Sequence, residues 1–570
     1  MTENNYRIDT INRQLVLQFD KADKLIVDDI KAVSYNSRYN PVLEIWIIPV
    51  DSWSKDKIFP FLKKWKFKHR PTPQSVFEKY DYSITKERTE ELERVLNDKS
   101  FTYKPRMYQI EALNYGIEKG NFINGDDVGL GKTFEAIMYA EYTNSWPCLV
   151  VCPASVKYNW FLKWLEIVGG DRTISVIESE VTKKRPRIWD TDIVIINYDI
   201  TGKKQGKGST AKFPELLLIK WKMFIYDEAH FLKEETSQRS KVARQMTKKS
   251  DAIIQMLTGT ATMSKPSELW NLLVILKISH LIANNWEEYI QRYCNGFKDK
   301  FGWQFSGATH LLDLNKKLRD VGYLRREKRD VLSELPPVEK IVLETPITNQ
   351  KEIKEAEENF IEYLYNTKGE EAAESAMGAE GLVKLSVLRQ LSIQGKIKSI
   401  EQFLRDWKTS GVKLLIFGIH REPLDYLSEK FKSKLLAGGV TAIQKQTIIE
   451  EWIKNEEPFL FANISSAGTG IDGLQKVCSN MLVIELPWRP SDLEQLVARI
   501  DRSGQEDPST IRFMLSEDTI DKQMWKMLEE KEIATTAANQ GIDIINEKSG
   551  MRVVMKMLLE NNMKLKNIIK

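Results

Sequence analysis

Gly129-Leu130-Gly131-Lys132-Thr133 is the run whose residue types and spacing point most directly to chemistry. A short apolar stretch, Phe122 and Ile123, precedes it, and a helix-compatible run from Phe134 to Glu141 follows. Strand, glycine loop and helix make the layout of a cradle for nucleotide phosphates. Glycines let the backbone curl close to a polyphosphate, so that successive N–H groups point inward. The start of the following helix adds its positive dipole end. In such a cradle Lys132 reaches the outer phosphates of ATP, and the Thr133 hydroxyl ligates Mg²⁺. The nucleotide-binding stretch is then Asp126, Asp127, Val128, Gly129, Leu130, Gly131, Lys132 and Thr133. Asp126 stands where the full Walker pattern wants glycine, and Gly125 sits one residue too early. A glycine-rich turn with a chance Lys-Thr is the plainer alternative.

Four further groups add to it. Phe224–Lys233 reads as a buried strand ending in Asp227-Glu228. At a strand's C-terminal end Asp227 holds Mg²⁺ and Glu228 orients an attacking water. Leu257–Thr262 puts the hydroxyls of Thr258 and Thr260 at a strand tip, where they would link the acidic box to a second lobe. His230, Gly259 and Gln505 fall in the same coupling group. Arg499 and Arg502 are spaced i, i+3 and share one helix face. Arginines from a second lobe complete a phosphoryl-transfer site only when the lobes close, and their planar forks suit phosphate oxygens. Ser466, Gly468 and Thr469 lie in a Ser/Gly/Thr loop after a strand, and Ser155 and Lys157 lie just beyond another. Both loops offer N–H groups and hydroxyls to a phosphate backbone.

The elements that position these residues follow from hydrophobic period. Residues 100–260 alternate short apolar runs (148–151, 192–197, 222–227, 252–257) with helical patterns at 155–168 and 236–247. That alternation predicts a doubly wound parallel sheet. A second set begins at 413–418 and continues through 459–464 and 481–486. The fold class is therefore α/β, two RecA-like doubly wound parallel-sheet lobes with helical insertions, preceded by a small α+β module. The expected units are the module at 1–95, the first lobe at 100–263, a helical insertion and linker at 264–400, the second lobe at 401–535, and a basic helical tail at 536–570. In the N-terminal module Tyr35, Tyr39, Trp46 and Trp53 read as core aromatics, with base stacking as the minority reading. Residues 366–380 read as an exposed linker, and the lysines and arginines at 183–187 and 203–207 as solvated loops or a phosphate-tracking edge.

Composition bounds the rest. With 570 residues and 42% hydrophobic content there is ample core for several domains. A net charge of only +4 makes any nucleic-acid surface local rather than global. Cys148, Cys152, Cys294 and Cys478 have no CxxC pairing, so zinc is not indicated and buried thiols are expected. No signal peptide or membrane span is legible, which predicts a cytoplasmic protein. Abundant Lys, Ile and Asn hint at an AT-rich genome without proving a source, and a bacterial or phage-infected cell is the expectation.

Taken in order, these motifs resemble the superfamily-two helicase/ATPases, and their wording resembles the Swi/Snf-type DNA-dependent ATPases. DDVGLGKT (126–133) is similar to that family's phosphate loop, with Asp127 in place of Glu, and this makes Asp126 the family's habit. YKPRMYQIEAL (103–113) is similar to the adenine-reading segment, which implies that Gln109 contacts the base. YLRREKRDVLSELPP (323–337) resembles the helical element after the first lobe, and ARIDRSGQ (498–505) the arginine-finger segment, which implies Arg499 and Arg502 at the γ-phosphate. Segments 259–270, 292–311 and 485–490 resemble the HepA-related (HARP) annealing-helicase branch, and 37–49 its N-terminal module. Ala261, Lys445 and Ser503 depart from the family's usual residues. The resemblance implies an ATP- and Mg²⁺-dependent translocase on duplex or forked DNA without sequence preference. It implies fork remodelling or annealing, with conventional unwinding, nucleosome remodelling or a non-catalytic scaffold as alternatives.

Overall fold

The computed structural model describes residues 5–9, 14–18, 24–33, 37–40, 45–49, 55–65, 68–69, 81–98, 101–180, 187–205, 208–259, 265–300, 302–305, 307–358, 380–438, 442–464, 473–517 and 519–539. Thr260, Ser466, Gly468, Thr469, the expected linker before residue 380, the residues 183–185, Lys207, Tyr35, Trp53 and the basic tail beyond 539 lie outside the described residues.

The N-terminal module is a five-stranded mixed sheet. Its strands β1 (Asn5–Asp9), β2 (Gln14–Gln18), β3 (Arg38–Asn40), β4 (Ile45–Pro49) and β5 (Lys68–His69) run in the order β3-β4-β2-β1-β5. Helices Lys24–Val33 and Lys55–Lys64 cover it. Leu17 and Ile48 meet Ile26, Ile30, Ile58 and Phe61 in one small core, and Trp46 packs against it. The helix Lys86–Asp98 lies outside this module. Its Leu92 and Leu96 are buried with Ile110, Leu113 and Tyr139 of the first lobe, so the expected boundary at residue 95 falls inside a first-lobe helix.

The first lobe is a seven-stranded sheet in which every pairing is parallel. Its strands are β6 (Phe122–Asn124), β7 (Cys148–Cys152), β8 (Ile174–Val176), β9 (Ile193–Asn197), β12 (Met223–Asp227), β13 (Ile253–Leu257) and β16 (Tyr323–Leu324). Two side hairpins, β10–β11 (Gly202–Gln205, Gly208–Ala211) and β14–β15 (Phe297–Asp299, Gly302–Gln304), complete the strand set between them. A parallel sheet buried on both faces favours apolar residues at nearly every position, which is why β7 reads as an unbroken apolar run and β9 and β12 are polar only at their last residues, Asn197 and Asp227. On β12, Phe224 and Tyr226 enter the core of one face while Met223 and Ile225 enter the other. Cys148 and Cys152 share the second face with Val150, and burial pushes both thiols up.

The second lobe repeats the plan. Strands β17 (Val338–Glu344), β18 (Leu414–Gly418), β19 (Lys434–Leu436), β20 (Phe459–Asn463), β21 (Asn480–Val483) and β22 (Ser509–Leu515) form an all-parallel sheet in the order β17-β22-β21-β18-β20-β19. Leu415, Phe417 and Val483 line one face, and Leu414, Ile416 and Leu482 the other. The stretch expected as one helical insertion, 264–400, divides between the lobes. Helices Pro266–Ile275, Trp286–Tyr293 and Leu311–Val321 bury Leu269, Leu272, Tyr289 and Leu314 against the first sheet. The long helix Glu380–Lys408 buries Leu388, Ile393 and Ile400 against the second. The expected helical element at 323 begins as the edge strand β16, because Tyr323 and Leu324 pair in parallel with Ile123 and Asn124.

Candidate active site

Register brings the motifs to one edge. In the sheet β13 lies between β6 and β12, with Leu257 level with both Asn124 and Asp227. All three strands therefore deliver their next residues to the same C-terminal edge, where ligands bind in open parallel sheets. The phosphate loop follows β6. Gly129 and Gly131 take φ of 96° and 87°, a backbone that side chains resist. Gly131 caps the helix Lys132–Thr143, so Lys132 and Thr133 are its first two residues. Lys132 Nζ folds back and donates to the carbonyl oxygens of Asp126 at 2.6 Å and Asp127 at 3.1 Å. Burial lowers its pKa, against the pull of Glu228 and Asp126.

Asp227 ends β12. Its Oδ2 accepts a bond of 2.8 Å from Trp160 Nε1, and its Oδ1 one of 3.0 Å from the Glu228 N–H. Burial first, then the neighbouring Glu228 charge, push its carboxyl up. Glu228 sits at φ 49°, a strained left-handed turn that swings its side chain out of the strand direction. Its Oε2 is 3.2 Å from His230 Nδ1. Burial opposes its charge, but His230, Lys132 and Arg499 outweigh that and hold it below the usual carboxyl range. The tip of β13 touches the loop directly. The Thr258 N–H donates to the Asn124 carbonyl at 3.0 Å, and a Cβ on Gly259 would meet Val128 at 2.6 Å and Lys132 Nζ at 3.5 Å.

The second lobe closes over this edge. A Cβ on Gly129 would stand 3.3 Å from Arg502 Cβ. Arg499 acts electrostatically on Glu228, and His230 on Asp492 of the helix Pro490–Val497. The phosphate loop, the acidic box, Thr258 and Gly259 at the described tip of β13, and the arginine segment thus stand at one edge of the first sheet. Gln505 works from inside the second lobe, where it donates to the Cys478 and Ile500 carbonyls and accepts from the Glu506 and Asp507 N–H groups. It braces the loop that follows Arg502. Gln109 lies against the loop from below. Its amide donates to the Leu130 carbonyl at 3.3 Å, and its oxygen accepts from the Arg106 N–H.

Two expected roles change on the folded chain. Lys157 is buried, and its ammonium is bonded to Glu178 Oε2 at 2.8 Å and the Ile177 carbonyl at 3.0 Å, so its charge is taken up inside the lobe. Ser155, in the single helical turn Ala154–Val156 just before the helix that Lys157 opens, is exposed. Asp126 is fully buried and grips Arg326, whose Nε lies 3.0 Å from Oδ2 and whose N–H donates to Oδ1 at 2.7 Å. Asp127 is 2.5 Å from Arg325 Nη2 and accepts from the Lys328 N–H at 2.9 Å. The acidic pair therefore anchors the phosphate loop to 325–328 through its carboxylates. Arg325, Arg326 and Lys328 lie in the segment 323–337 that resembles a family element, but the motifs give neither them nor Trp160 a role at the site. The adjacent basic pair in YLRREK was the available signal.

The SNF2-related domain family matches residues 108–392, half of the 570-residue chain. The chain belongs to the SNF2-related family. The helicase conserved C-terminal domain matches residues 395–504, which carry the second-lobe strands β18 to β21 and Arg499 and Arg502. Among curated relatives, the SWI/SNF-related matrix-associated actin-dependent regulator of chromatin subfamily A-like protein 1 of Xenopus tropicalis is 28% identical over 74% of this chain and 44% of its own length. The Caenorhabditis elegans homolog is 25% identical over 91% of this chain and 74% of its own. The DNA annealing helicase and endonuclease ZRANB3 of Mus musculus is 27% identical over 76% and 40%. The chain spans less than half the length of the frog and mouse relatives. A Sulfolobus solfataricus SWI2/SNF2 ATPase core in complex with dsDNA covers 78% of this chain and 94% of its own, at 19% identity and a TM-score of 0.37, which adds nothing to the two sheets themselves. The expectation of a cytoplasmic protein of a bacterium or phage-infected cell is overturned, because these curated relatives are animal proteins named for chromatin and DNA annealing. Among the described residues no helix is long and apolar enough to cross a membrane.

Proposed function

We propose that this protein hydrolyses ATP between its two lobes and uses the cycle to move along double-stranded DNA, remodelling or re-annealing forks. The observation that carries the reading is the closure of Arg502 over Gly129, with Lys132, Asp227 and Glu228 beneath it. The names of the curated relatives support the annealing part.

The residues fit ATP·Mg²⁺. Two left-handed glycines and a helix start supply inward N–H groups, and Thr133 and Asp227 are the hard oxygen donors that Mg²⁺ takes. Mg²⁺, when bound, supplies positive charge at the phosphate oxygens. Lys132 exchanges its two loop carbonyls for the outer phosphates. Glu228, held ionised by its cationic neighbours, accepts a hydrogen bond from the attacking water and orients it. Arg499 and Arg502 stabilise charge on the transferring phosphoryl group and are in place only with the lobes closed. Hydrolysis weakens that tie, and the lobes open. Repeated closure shifts one lobe's backbone grip relative to the other's, which needs no base-specific contact and is strongly salt-dependent.

The test compares ATPase stimulation by single-stranded, duplex and forked DNA, with Lys132→Ala beside the unaltered chain. Stimulation by duplex and forked DNA, lost in the variant, is the expected result. A Lys132→Ala chain that kept DNA-stimulated turnover would sink the proposal, and net strand separation on forks would replace annealing with unwinding.

A further inference from the structure

Lys328 belongs to none of the motifs read as catalytic, yet it touches both halves of the site. It opens the short helix Lys328–Val331 just past the edge strand β16. Its N–H donates to Asp127 Oδ2 at 2.9 Å on the phosphate-loop side. Its ammonium crosses to the second lobe and donates to Asp501 twice, to Oδ2 at 2.7 Å and to the carbonyl oxygen at 2.6 Å. Its Cε lies 3.5 Å from where a Cβ on Gly129 would stand, beside Arg502 Cβ at 3.3 Å from the same point. On the far side of Arg502, Ser503 Oγ accepts a bond of 2.8 Å from Arg106 Nη2. Arg502 is therefore bracketed by two ties to the first lobe, one on each neighbouring residue.

We propose that Lys328 is a positioning residue that sets Arg502 over the phosphate loop through Asp501. The proposal rests on the ATPase reading above. An arginine side chain has many rotamers, and its fork is useful only when its backbone stands within roughly 0.5 Å of the productive place. Bonding one ammonium to both the carboxylate and the carbonyl of Asp501 fixes side chain and main chain together, immediately before Arg502. An exposed ion pair would be too weak and mobile for this. Here the two side chains are only 12% and 16% exposed, so the tie is largely shielded from water. Because Lys328 also holds the Asp127 carboxylate through its backbone, the arginine segment and the phosphate loop are indexed to one residue.

The experiment uses the full chain with Lys328→Ala, Asp501→Asn, Lys328→Arg and the reversed pair Lys328→Asp with Asp501→Lys. ATP affinity is read by displacement of a fluorescent ATP analogue, and kcat and KM with duplex DNA present. The expected result for Lys328→Ala and Asp501→Asn is an ATP Kd within about threefold of the unaltered chain and a kcat lower by about tenfold or more. Lys328→Arg, which still donates to both the carboxylate and the carbonyl oxygen of Asp501, is expected to recover most of that loss, and the reversed pair, which restores the side-chain attraction but not the bond to the carbonyl, to recover less; a direct phosphate ligand would give no recovery in the reversed pair. Unchanged kcat in Lys328→Ala, loss of ATP binding equal to the loss of kcat, or no recovery in either rescue variant overturns the proposal. Asp501→Asn keeps the side-chain volume and decides the matter if the alanine chain does not fold. A different outcome, an unaltered chain with no ATP turnover on any DNA, would fell the ATPase reading itself.

Discussion

Glu135 lies beneath the phosphate loop in a buried charge cluster. Its Oε2 accepts from Asn124 Nδ2 at 2.5 Å, and Arg326 Nη2 is 3.2 Å from Oε1. Burial, helped by the Asp126 charge and opposed by Arg326, Asn124 and Lys132, pushes its carboxyl up to about 7. A folded-state pKa above the unfolded one means stability that is complete below the ordinary carboxyl range, near 4.5, and is lost as pH rises through about 7. Glu135→Gln keeps the neutral shape and removes the titration. The variant's Tm, measured against the unaltered chain, is therefore expected to rise by a few degrees between about pH 5 and about pH 8. A difference that stays flat or reverses across that range would show that Glu135 is ionised throughout. Next to it, Asp126 and Arg326 illustrate how a residue can serve a nucleotide site without touching nucleotide. The carboxylate is spent on a guanidinium 200 residues away in sequence, and the loop takes its curvature from that bond.

At the scale of elements, each lobe is held by charged groups where its sheet meets its helices. Lys396 is fully buried on the helix Glu380–Lys408. Its ammonium donates to the Ile484 and Met514 carbonyls at 2.7 and 2.9 Å and to Asp521 Oδ2 at 2.7 Å. It thus joins that helix to the ends of two central strands and to the start of the helix Ile520–Asn539. Removing one partner of a buried ion pair costs about 3–5 kcal/mol, because the other charge stays behind. Lys396→Met should therefore lower the second lobe's stability by about that amount in urea unfolding, and adding Asp521→Leu should recover a large part of it. Loss below ~1 kcal/mol would mean that Asp521 finds enough compensation from the Ser516 N–H, 3.2 Å away. The first lobe uses the same device at its edge, where Arg325 and Arg326 tie β16 to the phosphate loop.

At the scale of the whole molecule, the proposed site draws on both lobes, with Arg502 of the second beside Gly129 of the first. Arg502→Ala is expected to cut ATP turnover by about 10³-fold or more while leaving nucleotide affinity nearly unchanged, because the cradle belongs entirely to the first lobe. Equal loss of both would make Arg502 structural. The N-terminal module has its own core and its own sheet, and the helix Lys86–Asp98 belongs to the lobe. Removing residues 1–70 is accordingly expected to spare basal ATPase activity and to reduce the stimulation by branched DNA. Unchanged fork preference would take that role from the module.

The sequence by itself determined the two sheets, the phosphate loop, the acidic box and the pair of arginines. Parallel strands buried on both faces are apolar along their buried length, as 148–152, 223–226 and 414–418 are, and a phosphate cradle needs its glycines, lysine and threonine in close succession. Such constraints are local and leave a local trace. Only the tertiary structure decided that Asp126 and Asp127 face Arg326 and Arg325, that Lys157 turns inward to Glu178, and that 264–400 divides between the lobes. Ion pairs across hundreds of residues have no spacing rule, since a charge is matched by whatever the folded chain brings within about 4 Å. The same holds for Lys328 and Asp501, 173 residues apart in sequence and 2.7 Å apart in the cleft, where closure of the lobes makes them neighbours.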